Sequence, residues 1–218
     1  MTMTLEQLEA EVRSLKEQVA EGAYAKDYLE IWKLQSRYSH LYHIGRRSEI
    51  PALFAQKTPG VSLELEDNGV YEGIESVTRC WTELLTDRIE VGHLGLHLTL
   101  NPVIEINRDR TRARGVWHSH GYASLNDGPP LEPLRQYLLL GKYDMEYVKE
   151  DGQWKFLKLA YRLTFMCPYK EGWVDEPRAS SITDSPDNKP DKPTTYHMPY
   201  SRYRVNVFQP PPPEPYAD

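Results

Sequence analysis

Residues 97–107, 112–126, 134–149 and 153–167 are four long stretches in which apolar and polar side chains alternate. A period of two buries one face of a sheet and leaves the other wet, and strands that follow one another through short turns pair antiparallel. Asp151 and Gly152 supply such a turn before the last stretch. The helical periodicity lies before these strands. Helices first, then a curved sheet closing over them, define an α+β domain rather than a βαβ repeat.

Leu5, Leu8, Val12, Leu15 and Val19 recur at steps of three and four, so residues 4–21 should form a helix with a narrow apolar seam, punctuated at Gly22. Such a seam wants a partner, either its own domain or a neighbouring subunit. A second helix over residues 27–45 sets Ile31, Leu34, Tyr38 and Leu41 on one face, with Trp32 and Tyr42 alongside, as core or cavity wall. EIPALFA, residues 49–55, reads as a short helix, and SLELEDN followed by GVYEG reads as a hairpin turning at Asp67, Asn68 and Gly69. A helix over residues 74–85 then runs through a loop into HLTLNPVIEI, which opens on His97. That order suggests a cone-shaped domain with an imidazole in its cavity.

Three regions follow: an amphipathic helix (1–22), an α+β domain (23–167) and a tail (168–218). Eleven of the seventeen prolines lie from Pro168 onward, so regular structure is not expected there. Tyr196, His197, Met198, Tyr200, Tyr203, Val205, Val207 and Phe208 nevertheless precede a PPPPEP run. A solvated linker has no reason to hold so much aromatic surface, which favours a tail wrapped over the domain or a neighbouring subunit. The alternative is an interaction motif, since PPPP adopts the extended helix that aromatic grooves bind.

The formal charge of −6, without a basic stripe, gives no footprint for nucleic acid. No run of about 18 apolar residues would span a bilayer, and MTMTLEQLEAEV lacks the regions of a signal peptide, so a cytoplasmic protein is expected. Cys80 and Cys167 are too few for a disulfide framework and form no CxxC pair. His118 and His120 share one side of a strand, but no Asp or Glu at ligand spacing completes a metal site. Serine elbow, GxGxxG, P-loop and HExxH motifs are all missing from the sequence. Acid and base work without metal or cofactor is the chemistry left.

Four segments together resemble the SnoaL-like branch of the nuclear transport factor 2-like superfamily: LQSRYSHLYHIGRRSEIPALF, VYEGIESVTRCW, HLTLNPVIEI and YVKEDGQWKFLKLAYRLTF. The resemblance covers roughly residues 26–166. It implies a conical half-barrel of antiparallel strands around helices, with an apolar pocket for small hydrophobic ligands. Members include ketosteroid isomerase, scytalone dehydratase, bile acid 7α-dehydratase, polyketide cyclases, lyases of lignin-derived aromatic dimers and the small subunits of ring-hydroxylating dioxygenases.

By that resemblance, the tyrosine that the dehydratases carry on the first domain helix is Tyr38, and the histidine opening the strand after the cavity helix is His97. Their acidic residue five positions after the tyrosine is replaced here by His43, so two imidazoles stand where a carboxylate and an imidazole would. The basic residue of the last strand falls on Lys158, with Arg162 on the same side of the strand. Catalytic candidates are therefore His97, His43 and Tyr38, and substrate-binding candidates are Arg79, Trp117, Lys158 and Tyr143. If Ala113, Gly115, Trp117 and Ser119 face the pocket, His118 and His120 lie on the outer face, at a subunit contact.

The expected activity is a cofactor-independent lyase, removing water or releasing formaldehyde from a hydroxylated aromatic or polycyclic small molecule, such as a lignin-derived dimer. His97 and His43 would exchange protons while Tyr38 and a cation hold the substrate oxygens. Alternatives are a non-catalytic oxygenase subunit or binding module, and an isomerase or polyketide cyclase. A homo-oligomer, trimer or dimer, is expected in each case.

Overall fold

The computed structural model describes residues 3–87, 91–125, 134–175 and 188–217. The expectations for residues 1–2, for Asn126 and for tail residues 176–187 and 218 lie outside the described residues.

Helix α1 (Leu5–His43) runs unbroken for 39 residues. Thr4 starts it reciprocally: its hydroxyl accepts the Gln7 N–H at 3.2 Å, and the Gln7 side-chain oxygen accepts the Thr4 N–H at 3.0 Å. The break expected at Gly22 does not occur. One glycine costs about 1 kcal/mol against alanine, too little to stop a helix whose flanks are good helix formers. The domain half of α1 buries Asp27, Ile31, Leu34, Gln35, Tyr38 and Ser39, again at steps of three and four. Asp27 anchors it, accepting from Trp154 Nε1 at 3.0 Å and from Lys149 Nζ, with Arg110 3.6 Å away.

A 3-10 helix (Arg47–Leu53) leads to the hairpin β1 (Ser62–Leu65) and β2 (Gly69–Glu72), and α2 (Gly73–Arg79) continues into a π-helical turn (Cys80–Leu84). Strands β3 (Leu94–Ile106), β4 (Arg112–Leu125), β5 (Arg135–Glu150) and β6 (Gln153–Pro168) follow. The sheet order is β2-β1-β6-β5-β4-β3, an open, curved, six-stranded sheet in an α+β fold. Pairing is antiparallel except between β1 and β6, which are far apart in sequence and so are not constrained by a hairpin. Asp151 and Gly152, both at positive φ (49° and 76°), make the two-residue turn from β5 to β6.

Among the described residues, two of the sheet's three register shifts aim side chains. In β3 the register shifts between Leu100 and Val103, around Asn101 at φ 45° and Pro102; an edge strand tolerates a residue that cannot donate to the ladder. Between β5 and β6 the register shifts by one between Glu146 and Tyr147. From Lys158 to Leu163 the β6 side chains change face relative to a count made from the turn, until a second one-residue shift between Leu140 and Gly141 restores the phase.

The inner face of the sheet closes over α1 and α2 around Tyr38, Tyr71, Trp81, Trp117, Tyr137, Tyr143, Tyr147 and Phe156. The described tail crosses the outer face. Its Lys192 carbonyl accepts the Val70 N–H at 2.9 Å, its Tyr200 N–H donates to Thr164 at 2.6 Å, and buried Lys142 donates from Nζ to the carbonyls of Phe208 and Pro210 at 2.8 and 2.7 Å. Among the described residues no helix is long and apolar enough to cross a membrane.

Candidate active site

His97 stands on β3 opposite Gly121 and is buried, with its ring turned to the inner face. Glycine is required at that partner position because a Cβ there would meet the Leu96 carbonyl oxygen at 2.6 Å. The imidazole and five other rings form a closed circuit. Tyr38 meets Tyr143 at 5.6 Å between centroids, Tyr143 meets Tyr161 at 4.8 Å, and Tyr161 meets His97 at 5.2 Å. His97 then meets Tyr42 at 4.9 Å, Tyr42 meets Trp81 at 6.3 Å, and Trp81 returns to Tyr38 at 6.0 Å.

This circuit carries more polarity than its own hydrogen bonds absorb. His97 Nδ1, Tyr161 Oη and Trp81 Nε1 are buried without a hydrogen-bond partner, as are the nearby Ser119 Oγ and Arg47 Nε. Each such group costs about 1–3 kcal/mol if left unmet. Of the seven such side-chain atoms among the described residues, five lie in or beside this circuit. Arg47 lies over the Tyr42 ring, 4.3 Å from its centroid, and donates to the Leu85 carbonyl at 2.9 Å, which ties the end of the cavity helix to the start of the 3-10 helix.

Burial governs the titration here. It lowers His97 to about 3, and the His43 and Arg47 charges push the same way. The imidazole is therefore neutral at working pH and able to accept a proton. Burial raises the phenols of Tyr38, Tyr143 and Tyr161, which stay protonated as donors.

His43 comes to His97 through the backbone, not through the ring. Its Nε2 accepts the His97 N–H at 2.9 Å and lies 3.1 Å from the His97 carbonyl oxygen, which also accepts from Ser39 Oγ at 3.0 Å. These are the free edge groups of β3, since its ladder partner is β4 alone. The contact between the two residues thus runs from one ring to the other's backbone, with no hydrogen bond from imidazole to imidazole. Helical phase explains it: Ser39 and His43 share one face of α1, while Tyr42, four residues after Tyr38, shares the face that enters the circuit.

Of the remaining candidates, Tyr38 and Tyr143 meet inside the circuit, with hydroxyls 3.4 Å apart. Trp117 is buried on the inner face but four positions along β4 from Gly121. Its Nε1 donates to Tyr147 Oη at 2.8 Å, and that hydroxyl donates to Gln35 at 3.2 Å, so Trp117 is held in a separate chain. Arg79 turns away from the circuit to hold the tail, donating to Asn188 Oδ1 at 2.9 Å and to the Lys189 carbonyl at 3.1 Å. Lys158 is exposed on the outer face and pairs with Glu146 at 2.9 Å. Arg162, also outside, pairs with Glu64 at 2.8 Å. The bulge accounts for Lys158: counted from the turn, it would sit opposite inward-facing Met145, and the extra residue turns it out.

Ala113, Gly115, Trp117 and Ser119 face inward, and His118 and His120 lie exposed on the outer face, against Phe208 and Tyr122. Among the described residues no group of three or more His, Cys, Asp or Glu side chains is placed to hold a metal ion. A separate cavity of about 750 Å³ lies on the outer face beneath the tail, lined by Tyr122, Leu138, Leu140, Phe165, Trp173 and Tyr200. It is on the side of the sheet away from His97. Trp81 and Tyr161 join the circuit without having been singled out from the sequence, whereas Tyr42, four residues after Tyr38, was read as core or cavity wall and Ser119 as pocket-facing in one of the two strand phases.

A curved sheet closed over helices around a buried, ring-lined imidazole is an arrangement of the nuclear transport factor 2-like fold. The SnoaL-like domain model matches residues 23–160, and the chain belongs to that family. No curated protein matches the sequence. Similar solved structures include a candidate scytalone dehydratase from Novosphingobium aromaticivorans DSM 12444, at 18% identity and a TM-score of 0.53, covering 75% of this chain and 99% of that one. The hexachlorocyclohexane dehydrochlorinase LinA-type3 from Novosphingobium barchaimii LL02 is similar at 19% identity and a TM-score of 0.55, with 78% and 99% covered. A candidate aromatic ring hydroxylase from Novosphingobium aromaticivorans is similar at 15% identity and a TM-score of 0.52, with 66% and 94% covered.

Proposed function

We propose that this protein is a cofactor-independent lyase that eliminates water, or cleaves a carbon-carbon bond, in a hydroxylated aromatic small molecule held against the six-ring circuit. The observation that carries the reading is the buried Nδ1 of His97, which has no hydrogen-bond partner and stands beside the ring of Tyr161, whose hydroxyl makes no well-formed hydrogen bond either. Elimination is also the chemistry named for the dehydratase and the dehydrochlorinase among the similar structures.

In this scheme Nδ1 of His97 takes a proton from the substrate, and the electron pair left behind forms the new π bond as the hydroxyl departs. The phenol of Tyr161 or Tyr38 donates a hydrogen bond to the leaving oxygen, and the proton on His97 returns to it as water forms. A base lowered to about 3 is weak on its own. An oxyanion about 4 Å away, at an effective dielectric near 20, stabilises the imidazolium by about 4 kcal/mol, or roughly three pKa units. Developing negative charge on the substrate thus restores the basicity that burial removes. A para hydroxyl on the ring supplies that charge and stabilises the quinone methide formed when a benzylic hydroxyl leaves.

The test is a screen of hydroxylated aromatic monomers and lignin-type dimers for absorbance changes with no cofactor added. Turnover by the wild-type protein that disappears in His97→Gln supports the reading. Equal activity in both, or activity only with an iron-containing partner, overturns it.

A further inference from the structure

The N-terminal half of α1 runs out from the domain, touching it only at its base, where Lys16, Val19 and Ala20 line an open groove with residues 105–110 and 215–217. Residues 5–22 are exposed throughout, about 27 Å of helix at 1.5 Å per residue. An isolated helix of this length is marginal in water, yet this one aligns five uncovered apolar side chains. Leu5 is 72% exposed and Val19 71%, with Leu8, Val12 and Leu15 between them also exposed.

The spacing and the residue types narrow what covers this row. Steps of three and four alternate strictly, which is the seam of a two-stranded coil rather than the wider stripe of a helix lying on a domain. In heptad terms Leu5, Val12 and Val19 take the a positions, and Leu8 and Leu15 take d. A β-branched residue at a with leucine at d favours two parallel strands. Glu11 and Lys16 then occupy g and e, so in a parallel pair Glu11 of each chain faces Lys16 of the other, twice by symmetry. The next two seam positions fall on Gly22 and Lys26. The seam therefore stops just before the first buried residue of the helix, Asp27.

We infer that the partner is a second copy of this chain: two α1 helices pair in parallel through Leu5 to Val19 and join two domains about a two-fold axis. Just over two heptads is short, so the dimer dissociates on dilution.

Sedimentation equilibrium of the full chain over a wide concentration range tests this. The mass should move from monomer to dimer, and Leu8→Asp with Leu15→Asp should hold it at the monomer mass. Both positions are exposed and outside the core, so the domain's thermal unfolding midpoint should not change, while the helical circular-dichroism signal falls by the share of residues 5–22 as the helix loses its partner. Orientation is tested by Leu8→Cys, which in a parallel pair meets its own copy and forms a disulfide dimer under mild oxidation. Ala10→Cys, on the opposite face, should not. Native Cys80 and Cys167 are buried and do not compete. A monomer at every concentration, or a dimer that survives the double Asp substitution, overturns the inference. Failure of Leu8→Cys to cross-link overturns the parallel arrangement.

Discussion

The Nε2 atom of His43 accepts the backbone N–H of His97 at 2.9 Å, and the His97 carbonyl oxygen accepts from Ser39 Oγ at 3.0 Å, so two side chains on one face of α1 hold the two edge groups of the residue that carries the candidate base. An uncapped strand edge is free to fray or to pair elsewhere. His43→Ala should therefore cost about 1–2 kcal/mol of stability and speed amide exchange at His97. Turnover should fall less than in a His97 variant. Complete loss of turnover with unchanged exchange would instead make His43 a direct proton carrier.

His97→Gln keeps a polar side chain of similar size and removes the proton acceptor. kcat/KM should drop at least about a hundredfold, the lower range for losing a general base. Circular dichroism and the unfolding midpoint at neutral pH should stay close to wild type. A drop in activity matched by loss of the folded signal would count against a catalytic role.

The same residue predicts how stability depends on pH. Its folded-state value is lowered from 6.5 to about 3, so above pH 6.5 neither the folded nor the unfolded state is protonated there. Below 6.5 the unfolded chain takes up a proton that the folded chain refuses, and stability falls by up to about 1.4 kcal/mol per pH unit until the folded value is reached. His43, also lowered by burial, adds in the same direction. Between pH 6.5 and pH 5, urea unfolding of the wild type should lose about 2 kcal/mol more than that of His97→Gln. Parallel curves would mean that His97 is solvated.

Periodicity made most of the fold legible. The period of two over residues 97–167 foretold four strands and their order, and the Asp-Gly turn set the β5–β6 hairpin. What it could not supply was phase beyond an irregularity. The one-residue shift at Glu146 and Tyr147 exchanges the faces of β6, sending Lys158 out and bringing Tyr161 in. A bulge leaves no mark in the alternation that a single sequence can be read by. On α1 the site was half legible, because the resemblance carried Tyr38 and five residues beyond it, whereas helical geometry brings in the residue four beyond. Gly22 misled for another reason: its cost is real but small beside the turns on either side.

The anchoring of the tail gives a third mutational expectation. Arg79 joins α2 to Asn188, Lys189 and Asp191 and takes no part in the ring circuit. Arg79→Ala should therefore leave KM unchanged and hasten limited proteolysis of residues 188–217. A raised KM with an unchanged digestion pattern would return Arg79 to the substrate site.

Tyr161 and Lys158 together test the face exchange on β6. Tyr161→Phe deletes a buried hydroxyl that makes no well-formed hydrogen bond, its contact with the Ser119 hydroxyl falling short of one, and keeps the ring that packs on Tyr143 and edge-on against His97. Removing an unmet polar group should raise stability by about 1 kcal/mol, read as a higher urea midpoint. If that hydroxyl is held for the leaving oxygen, kcat falls about tenfold or more in the same variant. Stability up with activity down is the pattern of a group kept for function, and a purely structural tyrosine would give stability down. Lys158→Met changes an exposed outer-face pair with Glu146, so its stability should stay within about 0.5 kcal/mol of wild type and its kinetics should not move. The reverse result, with Lys158→Met impaired and Tyr161→Phe fully active, would show that β6 lacks the bulge in solution and presents its other face to the substrate.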